Sequence, residues 1–440
     1  MEYLLGIVTI VLGLLLSIGL HELGHLYPAK KFGVYVPQYM IGFGATLWSK
    51  KIGETEYGIK PIPLGGFVRI VGMYPPAPVG KKARKGPFSE MIAQSRQASL
   101  EEIPPGQEKR AFYKLSPGKK LLIMFGGPFM NLVLGVLLIA ITILCFGSLT
   151  PTTTVASVSE CIVPNFNQST VTECSPEYVK TPAAVAGIQS GDEIVAINSQ
   201  RTASWQTLDA AIAAVRTGDI EITVKRNGIE KTLQAPAQVV ARPIIGEDGQ
   251  YVVSDEGEYV FADRGFLGIA PLQELRPEPV SEVLPTVGQY LSGTTKAVLT
   301  LPQKSVDLVK TAMGQKDRDE NSVMGIVGVS RIAGEITSAD VEGFTGAMTV
   351  ASLLSLLAGL NIALFVFNLI PLLPLDGGHM AVAVYEFFRK KVYRLRGKEV
   401  SGPVDTARLI PVAFVVFGLF IALTLFLVYL DLVMPVSVVN

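Results

Sequence analysis

Four stretches of the chain are apolar and contain no formally charged residue when histidine is counted as neutral. They are Tyr3–His21, Leu121–Thr150, Gly343–Leu375 and Leu409–Leu430. A helix needs about 20 residues to cross the hydrocarbon core of a bilayer, and each stretch has about that length. The pattern therefore predicts four transmembrane helices.

The first stretch could also be a cleaved signal peptide, the common interpretation of an apolar N-terminus. No basic segment precedes it, however, and no small-x-small cleavage site follows it. It ends instead in HELGH, His21–His25. We therefore expect a retained span.

Two regions between the spans have the pattern of strands. From Tyr27 onward, short alternating runs are interrupted by Gly and Pro, which indicates β-hairpins. Further on, strand-like runs are separated by the turn dipeptides Gly191-Asp192 and Asn227-Gly228, and Thr207–Val215 has helical spacing. This second region predicts a compact α/β unit.

Composition supports a membrane protein, since 49% of the residues are hydrophobic. The net charge of zero conceals an asymmetry: basic residues predominate in Leu26–Lys120 and Ala381–Arg408, and acidic ones in Pro151–Glu342. Basic loops remain in the cytoplasm. Both chain termini and the acidic segment are thus expected outside. Spans one and three then run in the same direction, from outside to inside.

The three cysteines give little information about the fold or the function. Cys161 and Cys174 lie close together in the segment expected outside, and they could form a disulfide in an oxidising compartment. The sequence leaves that pairing open. Cys145 falls in the second span, where packing is the simpler interpretation.

The predicted fold class is a polytopic α-helical membrane protein with four transmembrane helices, membrane-associated β-hairpins and an extracytoplasmic α/β domain. Its expected divisions are helix 1 (1–28), the hairpin region (29–73), a cytoplasmic loop (74–118), helix 2 (119–149), the α/β domain (152–272), an interfacial amphipathic segment (273–342), helix 3 (343–380), a second cytoplasmic loop (381–408) and helix 4 (409–432).

HELGH carries the candidate chemistry. His21 and His25 are four residues apart and share one helix face, so both can ligate one metal ion. Glu22 lies beside them, placed to take a proton from a metal-bound water. The alternative is a satisfied histidine pair without metal. Two of only three histidines in the chain form this motif, and ionisable residues within spans are usually functional.

A zinc site needs a third protein ligand. Pro28 and Lys31 occupy the positions that a downstream HxxGxxH pattern would require, so that arrangement is excluded. Glu54 and Glu56 lie in the hairpin region, with no helix to present them. The better candidate is Asp376 in NLIPLLPLDGGHM, which the predicted topology places at the same membrane depth as HELGH.

These motifs resemble those of the site-2 protease family of intramembrane zinc metalloproteases. The resemblance rests on HELGH, NLIPLLPLDGG, GETEYGIKPIPLGGFVRI and MFGGPFMN, and covers nearly the whole chain. It implies His21, His25 and Asp376 as zinc ligands and Glu22 as general base. It also implies that Asn131 and Asn368 bind substrate or the developing oxyanion, with interhelical hydrogen bonds as the alternative.

The stretch AGIQSGDEIVAIN and the helix after it resemble a PDZ domain, a fold that binds extended peptides by strand addition. A folded spacer is the alternative. Two features depart from the family pattern. Only one such unit is predicted where some relatives have two, and Pro28 is expected to loosen or end the first helix.

The family resemblance implies regulated intramembrane proteolysis in a bacterial inner membrane. The expected substrates are single-span membrane proteins, anti-sigma factors or remnant signal peptides, already trimmed by an upstream site-1 protease. Membrane lipid is an expected partner and nucleic acid is not. The alternative function is a catalytically inactive PDZ-bearing membrane scaffold of the same fold.

Overall fold

The structure is a computed structural model that describes residues 2–77, 86, 88–162, 174, 178–244, 252, 259–315, 318, 322–339, 345–398 and 402–435, without the side chain of Leu64. The chain divides into two compact units. The first comprises residues 1–145, 279–339 and 346–440, and the second residues 146–278 and 340–345.

The helices, numbered along the chain, are α1 (Glu2–Lys31), α2 (Ser89–Glu101), α3 (Pro117–Ile141), α4 (Pro182–Ala186), α5 (Trp205–Ala214), α6 (Val283–Ala312), α7 (Ile326–Ser338), α8 (Gly346–Asn368), α9 (Asp376–Leu395) and α10 (Ile410–Val433). Helices α4 and α5 belong to the second unit, and the others belong to the first.

The strands are β1 (Gln38–Phe43), β2 (Trp48–Ile52), β3 (Thr55–Ile59) and β4 (Ile62–Arg69) in the first unit. Those of the second unit are β5 (Ser148–Val158), β6 (Glu193–Ile197), β7 (Gln200–Arg201), β8 (Asp219–Arg226), β9 (Ile229–Pro236), β10 (Gln238–Pro243), β11 (Phe261–Phe266) and β12 (Ile269–Arg276).

Four helices in the described part of the chain are long and apolar enough to cross a membrane. Their spans are Glu2–Lys31, Pro117–Phe146, Gly346–Asn368 and Thr406–Val433. On α1, Leu4, Leu5, Leu12 and Leu16 are 60–63% exposed, as expected of side chains that contact lipid rather than protein. The chain is a multi-pass membrane protein.

Helix α1 does not end at Pro28. It continues to Lys31, so the expected loosening at this proline does not shorten the helix. A proline removes one backbone hydrogen bond. The helix nevertheless completes about one further turn, and the residues around Pro28 pack in an apolar cluster that includes Leu26 and Ala29.

The hairpin region forms a four-stranded sheet in the order β2-β3-β1-β4. Only β2 and β3 form a tight hairpin, because β1 pairs with β3 in parallel and with β4 antiparallel. Strand β4 is an edge strand of this sheet, and it packs along α1. Local alternation predicted the strands, but it did not predict the parallel pairing.

Helices also occupy the two segments that the sequence predicts as cytoplasmic loops. Helix α2 lies within 74–118, and α9 fills much of 381–408. The expected third span is divided: α8 ends at Asn368, a non-helical segment covers 369–375, and α9 starts at Asp376. The first residue of that expected span, Gly343, lies outside the described residues.

The second unit has one principal sheet in the order β12-β5-β6-β8-β9, with β7 paired to β6. Its core contains Ile194, Ile220, Ile222 and Leu208. Strands β8 and β9 meet at Asn227-Gly228, where both residues have positive φ as a two-residue hairpin turn requires. A disulfide joins Cys161 and Cys174 in this unit, which answers the question left open by the sequence.

Candidate metal centre

Helix α1 presents His21 and His25 on one face, one turn apart. The His25 ring is 6% exposed, and its Nδ1 donates a hydrogen bond to the Ile123 carbonyl of α3 over 2.7 Å. A carbonyl oxygen can only accept. The bond therefore places the proton on Nδ1 and leaves the Nε2 lone pair of a neutral His25 available for a metal ion.

Asp376 reaches the histidines because α9 begins at this residue, directly after the turn at 369–375. That turn is tight. A Cβ on Gly377 would overlap the Ile370 carbonyl oxygen, and one on Gly378 would lie 2.6 Å from the Leu373 nitrogen. The two glycines of LDGG thus permit the close turn that brings Asp376 to the histidine pair.

Three ligand atoms converge at one point. Asp376 Oδ2 lies 3.2 Å from His21 Nε2 and 3.3 Å from His25 Nε2, and the two Nε2 atoms are 3.1 Å apart. Zinc bonds of about 2.0–2.1 Å in a tetrahedral site separate neighbouring ligand atoms by about 3.3–3.4 Å. The triangle therefore has the size that a tetrahedral zinc site requires, and these residues can hold the ion.

A cavity of about 470 Å³ opens at this triangle. Glu22 lines it together with the three residues above, and β4 passes beside Glu22, with Gly66 and Val68 among the lining residues. Gly66 permits the strand to come this close. A Cβ there would lie 3.1 Å from Glu22 Cγ and 2.9 Å from the Ile18 side chain.

Helix α3 closes the site from another side. A Cβ on Gly127 would overlap His25 Nε2 and would lie 2.8 Å from His21 Nε2. Between the two histidines on α1, Gly24 meets Gly126 of α3 so closely that a Cβ on either would overlap the other's carbonyl oxygen. Small residues allow two helix backbones to approach within a membrane. Here they bring α3 against the histidines.

The two predicted asparagines differ in their surroundings. Asn131 is 1% exposed, its Nδ2 lies 3.2 Å from His21 Nδ1, and its Oδ1 has no hydrogen-bond partner among the described residues. Asn368 lines the cavity, and its Nδ2 donates to the Leu364 carbonyl of its own helix over 3.0 Å. Asn131 thus contacts a histidine directly, whereas Asn368 does not.

The hairpin glutamates have other partners. Both carboxylate oxygens of Glu54 accept hydrogen bonds from Arg110, which holds the pKa of that carboxyl below its usual value. Glu56 accepts from Ser49 and Gln38. Neither glutamate lines the cavity, in agreement with the preference for Asp376.

Three residues near the centre were not singled out from the sequence. They are Gly127, Ile123 through its carbonyl, and His379, which lines the cavity. Gly127 and Ile123 lie four and eight residues before Asn131, on the same face of the helix. Extending that face from Asn131 back through MFGGPFMN to the preceding residue would have indicated both. His379 follows Asp376 by three residues, and the same i, i+3 rule would have placed it beside the site.

Comparison with known proteins identifies the family. The family model described as Peptidase family M50 matches residues 9–412. The chain belongs to peptidase family M50, the site-2 proteases. As an M50 peptidase it is a zinc metalloendopeptidase, and Zn2+ is its metal. Membership in this family implies membrane proteins as substrates.

Curated relatives match most or all of the length of this M50 chain. Zinc metalloprotease Rip1 of Mycobacterium tuberculosis is 33% identical over 439 residues, 99% of both chains. Rip1 of Mycolicibacterium smegmatis is 32% identical over 449 residues, 100% of both. Metalloprotease MmpA of Caulobacter vibrioides is 27% identical over 403 residues, 89% of both.

Proposed function

We propose that this protein is an intramembrane endopeptidase that hydrolyses peptide bonds in transmembrane segments of single-span membrane proteins. The observation that supports it best is the triangle of His21, His25 and Asp376 ligand atoms, with edges of 3.1–3.3 Å. Two of these ligands, His21 and His25, lie on a helix long and apolar enough to span a membrane. A polar cavity in such a place indicates chemistry on membrane-embedded chains.

In this proposal His21, His25 and Asp376 are the three protein ligands of zinc. A catalytic zinc site has three protein ligands and keeps a fourth position for water or substrate. The hydrogen bond from His25 to the Ile123 carbonyl fixes that ring in the tautomer that ligation needs. Bound zinc would lower the pKa of a coordinated water and polarise the scissile carbonyl.

Glu22 is the general base. Its carboxylate lies in the cavity beside both histidines, and it accepts the proton that the attacking water loses as its oxygen bonds to the carbonyl carbon. When the carbon–nitrogen bond breaks, the same carboxyl delivers a proton to the departing amine. Strand β4 packs against the Glu22 side chain at Gly66 and limits its movement during both transfers.

The asparagines take separate roles. If His21 ligates through Nε2, its Nδ1 carries the proton, and the Asn131 side-chain oxygen is the group that can accept it. An amide turned in this way orients His21, so we assign Asn131 to positioning. Asn368 lines the cavity, and its carboxamide is available to substrate or to the oxyanion.

The edge strand β4 offers a surface for an extended substrate. Within the described sheet it pairs with β1 on one side only, and residues 66–69 line the cavity. Extended peptides bind such edges by strand addition. A segment bound along β4 would have its carbonyls released from helical hydrogen bonds beside Glu22.

We further propose that the second unit is a PDZ-like domain outside the cytoplasm of a bacterial inner membrane, with both termini on the same side. Its disulfide fits an oxidising compartment. Anti-sigma factors or remnant signal peptides, trimmed first by a site-1 protease, are the proposed substrates. The domain would admit trimmed substrates and exclude bulky ones.

The direct test is Glu22→Gln. This variant retains the three ligands and the shape of the side chain, so it should bind zinc as the parent does. Loss of the general base should lower the cleavage rate of a reconstituted single-span substrate by about 10²–10⁴-fold. Zinc content by mass spectrometry and cleavage by gel assay are measured on the same preparation.

The matched control is Glu56→Gln, an acid in the hairpin region outside the cavity, which should cleave at the parent rate. A Glu22→Gln protein that cuts as fast as the parent would contradict the role of Glu22. A purified parent chain that binds no zinc and cuts nothing would favour the inactive scaffold instead.

The gating role can be tested by deleting Thr152–Leu272. These ends are adjacent, since the Thr152 hydroxyl donates to the Leu272 carbonyl and Pro151 pairs with Gln273, so a short linker can join them. Cleavage of a substrate with an intact external domain should rise, while that of a trimmed substrate should not change. Unaltered discrimination between the two would exclude a gate.

A further inference from the structure

Helix α9 buries its glutamate and exposes its aromatic residues. Glu386 is 1% exposed, whereas Phe388 is 56% and Leu395 is 79% exposed. Val384, Phe388, Val392 and Leu395 recur at the spacing of one helix face, and all of them point away from the protein. A helix at the surface of a water-soluble protein shows the reverse arrangement.

Contacts with the spans fix the depth of α9. The buried Glu386 carboxylate lies 2.7 Å from Nζ of Lys120, which is in the first turn of the span Pro117–Phe146. One span ends at Asn368, shortly before α9 begins, and another starts at Thr406, shortly after α9 ends. Helix α9 therefore lies where three spans leave the membrane.

The far end of α9 is cationic. Lys391, Arg394, Arg396 and Lys398 are exposed, and none of them forms an ion pair with an acidic group in the described part of the chain. The glutamate of the helix, Glu386, is already paired with Lys120 and Lys390. The exposed side of this end of α9 thus combines apolar side chains with cations that have no protein partner there.

We propose that α9 is an interfacial helix whose apolar face enters the border of the hydrocarbon region and whose cations bind anionic lipid headgroups. Helices with an apolar face and flanking Lys and Arg lie in the bilayer interface in this way. Anionic headgroups supply the opposite charge that these cations do not find among the described residues. The proposal does not depend on zinc or on proteolysis.

This contact bears on the metal centre through the position of Asp376. Asp376 is the first residue of α9, so the depth at which the helix lies in the interface also sets the height of this carboxylate relative to α1. The lipid surface then helps to hold Asp376 at the same depth in the membrane as His21 and His25.

Contact with lipid is tested by Phe388→Trp in the full chain, reconstituted in nanodiscs that contain phosphatidylcholine brominated near the headgroup end of its acyl chains. Quenching of the added tryptophan should come within about twofold of that of Leu5→Trp, near one end of the lipid-exposed face of α1. Ile229→Trp, in the second unit, is the unquenched reference. Val392→Trp replaces Phe388→Trp if that variant does not fold.

A second experiment tests the headgroup contact by replacing the four exposed cations at the end of α9 with glutamine in one variant. Each exposed cation near an anionic surface contributes about 1 kcal/mol, or roughly fivefold in partitioning. The variant's preference for phosphatidylglycerol over phosphatidylcholine should therefore fall by at least about tenfold, and a variant with three cations of the second unit replaced should match the parent. The four are Lys391, Arg394, Arg396 and Lys398, and the three are Arg201, Lys225 and Lys231.

Two results would overturn the proposal. Quenching at Phe388→Trp no greater than at Ile229→Trp would show that the apolar face is not in lipid, and cross-links between α9 helices of two chains would then assign it to a second copy. A phosphatidylglycerol preference unchanged by the four substitutions would exclude the headgroup contact.

Discussion

The second unit buries aliphatic side chains such as Ile194 and Ile222, whereas the first unit also buries His25 and Asn131 and leaves Leu16 60% exposed. The difference follows from the solvent of each unit. In water, burial of apolar groups lowers the free energy of the protein. In hydrocarbon, a leucine gains no such free energy from burial, so it can remain on the lipid-facing surface. What the first unit must hide from lipid is its polar groups.

This contrast changes the meaning of a buried residue. Burial in the second unit reports on stability, because it measures apolar area removed from water. Burial of an ionisable or amide group in the first unit reports on a site or on helix association, because such groups are costly in lipid. The same exposure value thus supports different inferences in the two units.

The largest expected effect comes from Gly127→Ala at the buried metal centre. The added methyl would overlap His25 Nε2, so α3 and α1 must separate or the ring must turn. Zinc affinity should fall by about 10–100-fold. Titration with a zinc indicator measures it without any assay of proteolysis.

The matched control is Gly118→Ala in the same helix, where the built Cβ meets no atom within 4 Å. This variant should bind zinc as tightly as the parent, since alanine also favours the helix. Equal zinc affinity in both variants would show that α3 does not confine the histidines as the structure indicates.

A smaller effect is expected from truncating one apolar side chain in each unit. Ile222→Ala should destabilise the second unit by about 2–5 kcal/mol, because a fully buried side chain leaves a cavity. Leu16→Ala should change stability by only about 0.5 kcal/mol, the range of surface substitutions. Hydrogen exchange of the β6 and β8 amides measures the effect of Ile222→Ala, and exchange of the α1 amides measures the effect of Leu16→Ala. A large loss at Leu16 would mean that this face of α1 is covered by protein.

The smallest effect is expected in the pH dependence of the second unit. Asp192 is 1% exposed and accepts two hydrogen bonds of 2.7 Å from Arg226, which hold the pKa of the carboxyl below its usual value. A lowered folded pKa means that the ion pair stabilises the unit above the unfolded pKa of about 3.9 and ceases to do so as the pH falls through the folded value.

Asp192→Asn should therefore lower stability at neutral pH by about 1–3 kcal/mol and flatten its decline below about pH 4. Hydrogen exchange of β8 and β9 amides across this pH range is the measurement. Glu193→Gln, at the adjacent exposed position, should leave the profile unchanged. If the stability of Asp192→Asn falls below about pH 4 as steeply as that of the parent, other carboxyl groups cause the pH dependence.

The sequence predicted the coarse identity of the protein well. Membership in the site-2 protease family, zinc dependence and membrane spans are confirmed by the family match, by the relatives and by four apolar helices. Such features depend on local pattern or on short motifs, and local pattern is what a single sequence displays directly. The roles of Glu22, His21, His25 and Asp376 remain predictions whose positions the geometry supports.

The sequence alone indicated that the chain crosses a membrane and that His21 and His25 share a helix face, and it predicted a remote aspartate, Asp376, as the third ligand. Only the tertiary structure decided how close Gly127 and Gly66 come to that site and that β1 and β3 run parallel. It also decided which face of α9 is turned outward. Helical and strand periods are properties of neighbouring residues, whereas contacts between elements depend on the packing of segments that are tens to hundreds of residues apart.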